Sequence, residues 1–297
     1  MEPILVVVGF LGVGKTTLMK KLASYFIKEN KSPYIIINDY ENAALDAQKF
    51  SEFMDLKQIV AMNGSCICCS GVVELREKVN GIPRRENGIT LIEANGTTDA
   101  CDLMGFLAVG LDDRYLPPVQ ISIVDARLWQ QRSHNNELEA SQIQVSAMIV
   151  LNHAQGLSKV EIAKVKAQVL EFNPTATIIE WDELDIKMLP ELTPSTNTPE
   201  KIDHKMAHWS ACSVDLNDPM SSEGLLSILD ELPKGIQRVK GCTRLDNDTY
   251  YSFFERTPAG ETFVKRYTGN LITGPKLLVI GPGSEPKMLK SLVEQYG

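Results

Sequence analysis

The run Gly9-Phe10-Leu11-Gly12-Val13-Gly14-Lys15-Thr16 constrains this chain more than any other stretch. It satisfies G-x-x-x-x-G-K-[ST], and its flanks suit the pattern. Ile4-Leu5-Val6-Val7-Val8 is short, apolar and β-branched, as a fully buried strand should be. Thr17-Leu18-Met19-Lys20-Lys21-Leu22 then opens a helical spacing of apolar residues. Strand, glycine-rich loop and helix N-terminus together make a phosphate cradle, because inward-turned backbone N–H groups and the helix dipole both favour an anion. Gly12, Val13, Gly14, Lys15, Thr16 and Thr17 are the expected phosphate-binding residues. Lys15 reaches the outer phosphates and the Thr16 hydroxyl holds Mg²⁺.

Composition narrows the partners. Thirty basic against 38 acidic residues give a net charge of −8 over 297 residues. Neither nucleic acid nor an anionic membrane is the expected partner of such a chain. No apolar run reaches the ~20 residues of a membrane span. The loop starts at residue 9, which leaves no room for a leader peptide, so a cytoplasmic location is expected. Asn63-Gly64-Ser65 and Asn95-Gly96-Thr97 are then coincidental matches to the glycosylation pattern. In a reducing compartment, clustered cysteines point to metal or redox chemistry and isolated ones to packing.

Apolar strands are expected at 4–8, 34–38, 57–62, 89–94, 119–124, 147–152 and 176–180, with helices at 16–29, 71–79, 99–109 and 158–172. Such alternation predicts an α/β fold with a doubly wound, mostly parallel sheet, and places the ligand beyond the carboxyl ends of the strands. The expected G domain is 1–182. Pro190, Pro194 and Pro199 among polar residues mark 183–203 as a linker. Strand-like stretches at 207–215, 249–256, 263–268 and 276–281, with helices at 222–232 and 285–296, make 204–297 a smaller α+β domain.

Four segments carry chemistry. In Thr90-Leu91-Ile92-Glu93-Ala94-Asn95-Gly96, a carboxylate ends a buried strand, where the nucleotide's Mg²⁺ would compensate it. Gly96 would let a backbone N–H approach the terminal phosphate. Cys66, Cys68 and Cys69 put three thiols within four residues, a soft-ligand set for Zn²⁺ or another transition metal with one position left open. They follow the third strand, expected to be a central one. Asp39 lies in a short acidic stretch after the second strand, where a switch loop could sense Mg²⁺ and the γ-phosphate. Asn152-His153-Ala154-Gln155 ends a late strand, where GTPases carry Asn-Lys-x-Asp to read guanine.

The order of these motifs, with Val124-Asp125-Ala126, Asn173-Pro174-Thr175-Ala176 and Arg238-Val239-Lys240-Gly241, resembles the CobW-like branch of P-loop GTPases, related to the HypB and UreG metal-insertion proteins. The resemblance implies a GTPase that couples its nucleotide cycle to binding a metal and delivering it to a client metalloprotein. The chain departs from that pattern in several places. Ser65 stands where the family has Gly. Asn38-Asp39-Tyr40-Glu41 replaces Asn-Glu-Phe-Gly. Gln155 replaces the guanine-reading Asp, and swaps one acceptor for a donor. A lost buried hydrogen bond costs about 1–3 kcal/mol, roughly 10- to 100-fold in discrimination, so GTP or another nucleoside triphosphate is the expected ligand. Lys15, Thr16, Asp39 and Glu93 are the candidate catalytic residues of a slow triphosphatase. No arginine finger is visible, which leaves a partner protein or a second protomer, in a homodimer, to supply one. The rival reading is a nucleotide-gated chaperone or scaffold with negligible hydrolysis.

Overall fold

The computed structural model describes residues 1–39, 46–47, 49–63, 71–197, 211–236, 238–246, 248–256, 260–267, 274–281 and 284–297. They form two compact units, one of residues 1–38 with 57–207, the other of 39–56 with 208–297.

In the first unit, seven strands form one sheet: β1 (Ile4–Val8), β2 (Ser32–Asp39), β3 (Ile59–Asn63), β4 (Gly88–Glu93), β5 (Val119–Asp125), β6 (Met148–Asn152) and β7 (Thr177–Glu180). Their spatial order is β3-β2-β4-β1-β5-β6-β7, and the sheet is parallel. Every residue of β1, β4 and β5 is buried, as expected of central strands covered by helices on both faces. Residues of β7, at the sheet's edge, are half-buried or exposed.

Helix α1 (Lys15–Lys28) starts directly from the phosphate loop and buries Leu18, Met19, Leu22 and Phe26. Helices α2 (Gly71–Asn80) and α3 (Ala100–Leu107) cover the sheet face bearing Ile4, Val6, Val8, Ile36, Ile92 and Ala94. Helix α4 (Asn136–Gln144) was not expected from sequence, because its inward side is Glu139, Ser141, Gln142 and Gln144 as much as Ala140 and Ile143. Helix α5 (Lys159–Phe172) begins with a capping box in which Ser158 and Glu161 satisfy each other's backbone N–H. The proline-bearing stretch expected to be a linker follows a 3₁₀ turn at Trp181–Glu183 and holds another at Ile186–Glu191, with Ile186 and Leu189 buried.

In the second unit, β8 (Ala211–Asp215), β9 (Arg238–Arg244), β10 (Tyr251–Arg256), β11 (Thr262–Tyr267) and β12 (Lys276–Ile280) form an antiparallel sheet ordered β11-β10-β9-β12-β8. Helices α6 (Ser222–Glu231) and α7 (Pro286–Tyr296) share a core with Val214, Val239, Phe254, Leu277 and Val279. No helix among the described residues is long and apolar enough to cross a membrane.

Candidate nucleotide site

The phosphate loop leaves the carboxyl end of β1 and turns into α1 at Gly14, whose φ of 108° is left-handed. A Cβ there would lie 2.6 Å from Asn152 Nδ2, so both conformation and space demand glycine. Lys15 is buried and folds back, its Nζ donating to the Gly9 and Phe10 carbonyls at 2.8 and 3.0 Å. Its ammonium is thereby held over the loop that would receive phosphates. Gly12 and Gly14 are half-buried, Val13 buried and Thr17 exposed.

Thr16 Oγ1 donates to Glu93 Oε1 at 2.7 Å, and both residues are buried. This joins the first turn of α1 to the end of β4. A hydroxyl and a carboxylate side by side form an oxygen donor set of the kind Mg²⁺ takes, so the residues present fit that ion. Asp39 closes β2, next to β4 in the sheet; its side chain lies outside the described residues. Its neighbour Asn38 is buried, and among the described residues Asn38 Oδ1 accepts no hydrogen bond.

Gly96 follows β4, and a Cβ on it would lie 2.2 Å from Leu11 Cδ2 and 2.9 Å from the Leu11 amide nitrogen. The turn after Glu93 therefore presses against the phosphate loop. Gln142 of α4 pins that turn from behind, donating to the Gly96 and Thr98 carbonyls at 3.1 Å each.

Asn152 lies across from Asp125 in the β5–β6 register and reaches the phosphate loop, Nδ2 donating to the Val13 carbonyl at 2.9 Å. Its Oδ1 accepts the His153 N–H at 2.9 Å. The carboxamide thus anchors the loop. His153 adopts a positive φ of 56° and is half-buried, and Gln155 is exposed in the turn beyond.

Cys66, Cys68 and Cys69 lie outside the described residues, between β3 and α2. The strand before them is not central: β3 is an edge of the sheet, because β2 and β4 intervene between it and β1. Apolar content alone does not separate an edge strand covered on its faces from an inner one. Burial pushes the thiols of the isolated Cys101 and Cys242 up to about 12, with nearby carboxylates adding to it, which disfavours the thiolate.

Three groups at the site have no sequence signature. Gln142 sits on the unforeseen α4. Arg132 lies over the Phe10 ring at 4.4 Å and is paired with Glu139 at 2.7 Å. Burial raises the Glu139 carboxyl above its ordinary range, although Arg132 opposes that. The third is Asn95, two residues beyond Glu93.

Comparison with known proteins identifies a family and several similar chains. The family described as "CobW/HypB/UreG, nucleotide-binding domain" matches residues 3–180. "Zinc-regulated GTPase metalloprotein activator 1" of Dictyostelium discoideum is 22% identical over 217 residues, 60% of this chain and 45% of that protein. The chain therefore spans about half the length of that curated relative. Among solved structures, the Zn(II)-bound YjiA GTPase from E. coli is 16% identical with both chains covered in full and a TM-score of 0.43. The hydrogenase maturation factor HypB from Archaeoglobus fulgidus is 18% identical over 64% of this chain and 87% of that one, with a TM-score of 0.41.

Proposed function

Since the chain belongs to the CobW/HypB/UreG family of nucleotide-binding domains, we propose that it is a slow nucleoside triphosphatase whose nucleotide cycle governs the binding of a transition metal and its delivery to a client metalloprotein. The observation that carries the triphosphatase part is the Thr16–Glu93 contact at 2.7 Å beside a buried Lys15. Lys15 would leave the Gly9 and Phe10 carbonyls for the outer phosphates. Backbone N–H groups of residues 12–17 would receive the inner ones. Thr16 and Glu93, with Asp39 directly or through water, would hold Mg²⁺. That ion neutralises charge on the transferring phosphoryl group, and catalysis is otherwise positioning, since phosphoryl transfer asks little covalent chemistry of the protein. A partner protein or a second protomer would supply any missing cation.

The metal would be cargo on Cys66, Cys68 and Cys69, which suits a reducing, cytoplasmic setting where thiols stay free. In support stand the spacing of the thiols and the zinc named for the relative from Dictyostelium. The second reading, a nucleotide-gated scaffold with negligible turnover, draws on Asn152-His153-Ala154-Gln155. Asn152 is committed to Val13, and Gln155 cannot offer the two acceptors that guanine's donors require.

One set of titrations tests this reading. Mg-GTP and Mg-ATP should bind wild-type protein with less than thousandfold discrimination, and Lys15→Ala should abolish both. Under anaerobic conditions about one Zn²⁺ per chain should bind, and Cys66→Ser/Cys68→Ser/Cys69→Ser should lose it. Zinc affinity should differ at least fivefold between non-hydrolysable triphosphate and diphosphate states, the low end of ordinary coupling energies. Triphosphate binding without phosphate release would favour the scaffold. Superimposable zinc curves would end the delivery reading.

A further inference from the structure

We propose that Asn95 is a γ-phosphate sensor: its side-chain Nδ2–H group donates a hydrogen bond to the terminal phosphoryl oxygens of the bound triphosphate, and so distinguishes triphosphate from diphosphate. The proposal rests on the nucleotide-binding reading above and adds a residue that the phosphate-loop pattern does not include.

Asn95 is buried, and among the described residues its Nδ2 has no hydrogen-bond partner. Its Oδ1, in contrast, is saturated. It accepts from the Thr97 N–H at 3.0 Å, the Thr97 hydroxyl at 3.2 Å and the Thr98 hydroxyl at 2.9 Å. A backbone N–H can only donate, so the atom facing Thr97 is the oxygen and the orphan is the NH₂ group. A flip would set the NH₂ group against the Thr97 N–H, donor facing donor, so the carboxamide cannot turn to relieve it. A buried donor left without an acceptor costs a fold stability, and such groups call for an explanation in strain, an ordered water, a ligand or a catalytic role.

Position supplies the acceptor. Ala94 N–H still bonds the Val7 carbonyl, so the β4 ladder continues past Glu93. Ile92 and Ala94 belong to the core cluster on the face covered by α2 and α3. By alternation Glu93 and Asn95 share the opposite side, the side on which Glu93 meets Thr16. The next residue, Gly96, packs directly on Leu11 of the phosphate loop. Two carbonyls of the turn are fixed by Gln142, so the donor is held in place before any nucleotide arrives. A diphosphate would leave the group unpaired, and a triphosphate would bring an anionic acceptor to it.

Two variants separate this from a structural role. Asn95→Asp keeps the oxygen that Thr97 and Thr98 use and replaces the NH₂ donor by a charged acceptor. Asn95→Ser keeps a side-chain acceptor for the Thr97 N–H, adds no charge, and shortens the donor's reach by one bond. Calorimetry with Mg²⁺ and either a non-hydrolysable GTP analogue or GDP, on the full chain, reads both. Both variants should weaken the analogue about tenfold or more, the effect of a lost hydrogen bond to a charged group, and leave GDP within about twofold. Equal weakening of both nucleotides would show that Asn95 only shapes the turn. Loss in Asn95→Asp with none in Asn95→Ser would reduce the effect to introduced charge. No change in either variant would leave the donor without a role. Each of these outcomes overturns the sensor while GDP binding still upholds the nucleotide site. A wild-type chain that binds neither nucleotide would overturn the underlying reading itself.

Discussion

Asn152 occupies the position where a guanine-reading residue was expected, yet its donor is spent on the Val13 carbonyl at 2.9 Å. The bond ties β6 to a loop 139 residues earlier in the chain, next to the glycine whose missing Cβ makes room for it. Removing it should therefore loosen the phosphate loop and not alter base choice. Asn152→Ala should cost about 1–3 kcal/mol of stability for the unpaired carbonyl. It should also weaken Mg-GTP and Mg-ATP by the same factor in parallel calorimetric titrations. A selective loss of GTP would mean that the carboxamide reads the base after all. At this scale the sequence was most informative where chemistry is local. Gly14, Lys15 and Thr16 are neighbours, and the loop-to-helix turn they make follows from adjacency. Glu93 was reachable because a carboxylate ending a buried strand demands a partner. Gln142, Arg132 and the orphan amide of Asn95 were not, since each gains its meaning from residues far away in sequence.

Strands and helices show the same division. The strands of the first unit lie within about two residues of their expected limits, because a strand buried on both faces announces itself as an unbroken apolar run. Helix α4 hid because polar residues fill its buried side. Strand β9 hid for a related reason. Its sequence, Arg-Val-Lys-Gly-Cys-Thr-Arg, alternates charge and small residues, yet six of the seven are buried. Gly241 explains part of that packing. A Cβ there would meet Phe254 Cζ at 2.1 Å and the Lys276 carbonyl oxygen at 2.7 Å, and Phe254 is fully buried. Neither a neighbouring strand's backbone nor an enclosed ring can yield cheaply. Gly241→Ala should destabilise the second unit by about 1–3 kcal/mol, the usual cost of overpacking. Denaturant unfolding followed by circular dichroism, with wild type as the reference, would measure it. Equal midpoints for Gly241→Ala and wild type would show that β10 shifts freely.

For the whole molecule, the assignment of residues 39–56 is the least expected result. The described residues of this stretch beyond β2, 46–47 and 49–56, precede β3 in sequence, yet they belong to the second unit. Phe50 is fully buried, and Asp46 and Lys49 join a charge cluster with residues of β9 and β10. Asp46 pairs with Lys240, both almost wholly buried, and with Lys49 at 2.8 Å. Glu255 pairs with Arg238 at 2.6 Å and lies 3.9 Å from Lys49, whose ammonium sits over the Phe253 ring at 4.1 Å. Burial pushes both carboxyls up, but the cations more than offset it. Lys240, Lys49 and Arg238 hold Asp46 well below its ordinary range, and Arg238, Lys49 and Lys240 bring Glu255 down to about 2. A carboxylate whose folded pKa is depressed adds stability that is complete above its unfolded pKa and disappears as pH falls through the folded one. For Glu255 that window runs from about 4.5 down to about 2, and one pKa unit corresponds to about 1.4 kcal/mol. The second unit should therefore lose about 3 kcal/mol across that window from Glu255 alone, with Asp46 deepening the loss. Glu255→Gln should flatten the acid slope of stability measured by urea titration at successive pH values. It should also lower stability at neutral pH, because Arg238 and Lys49 would face a weaker partner. Parallel slopes for wild type and Glu255→Gln would mean that the cluster is not what holds Asp46 and Lys49 to this sheet at low pH.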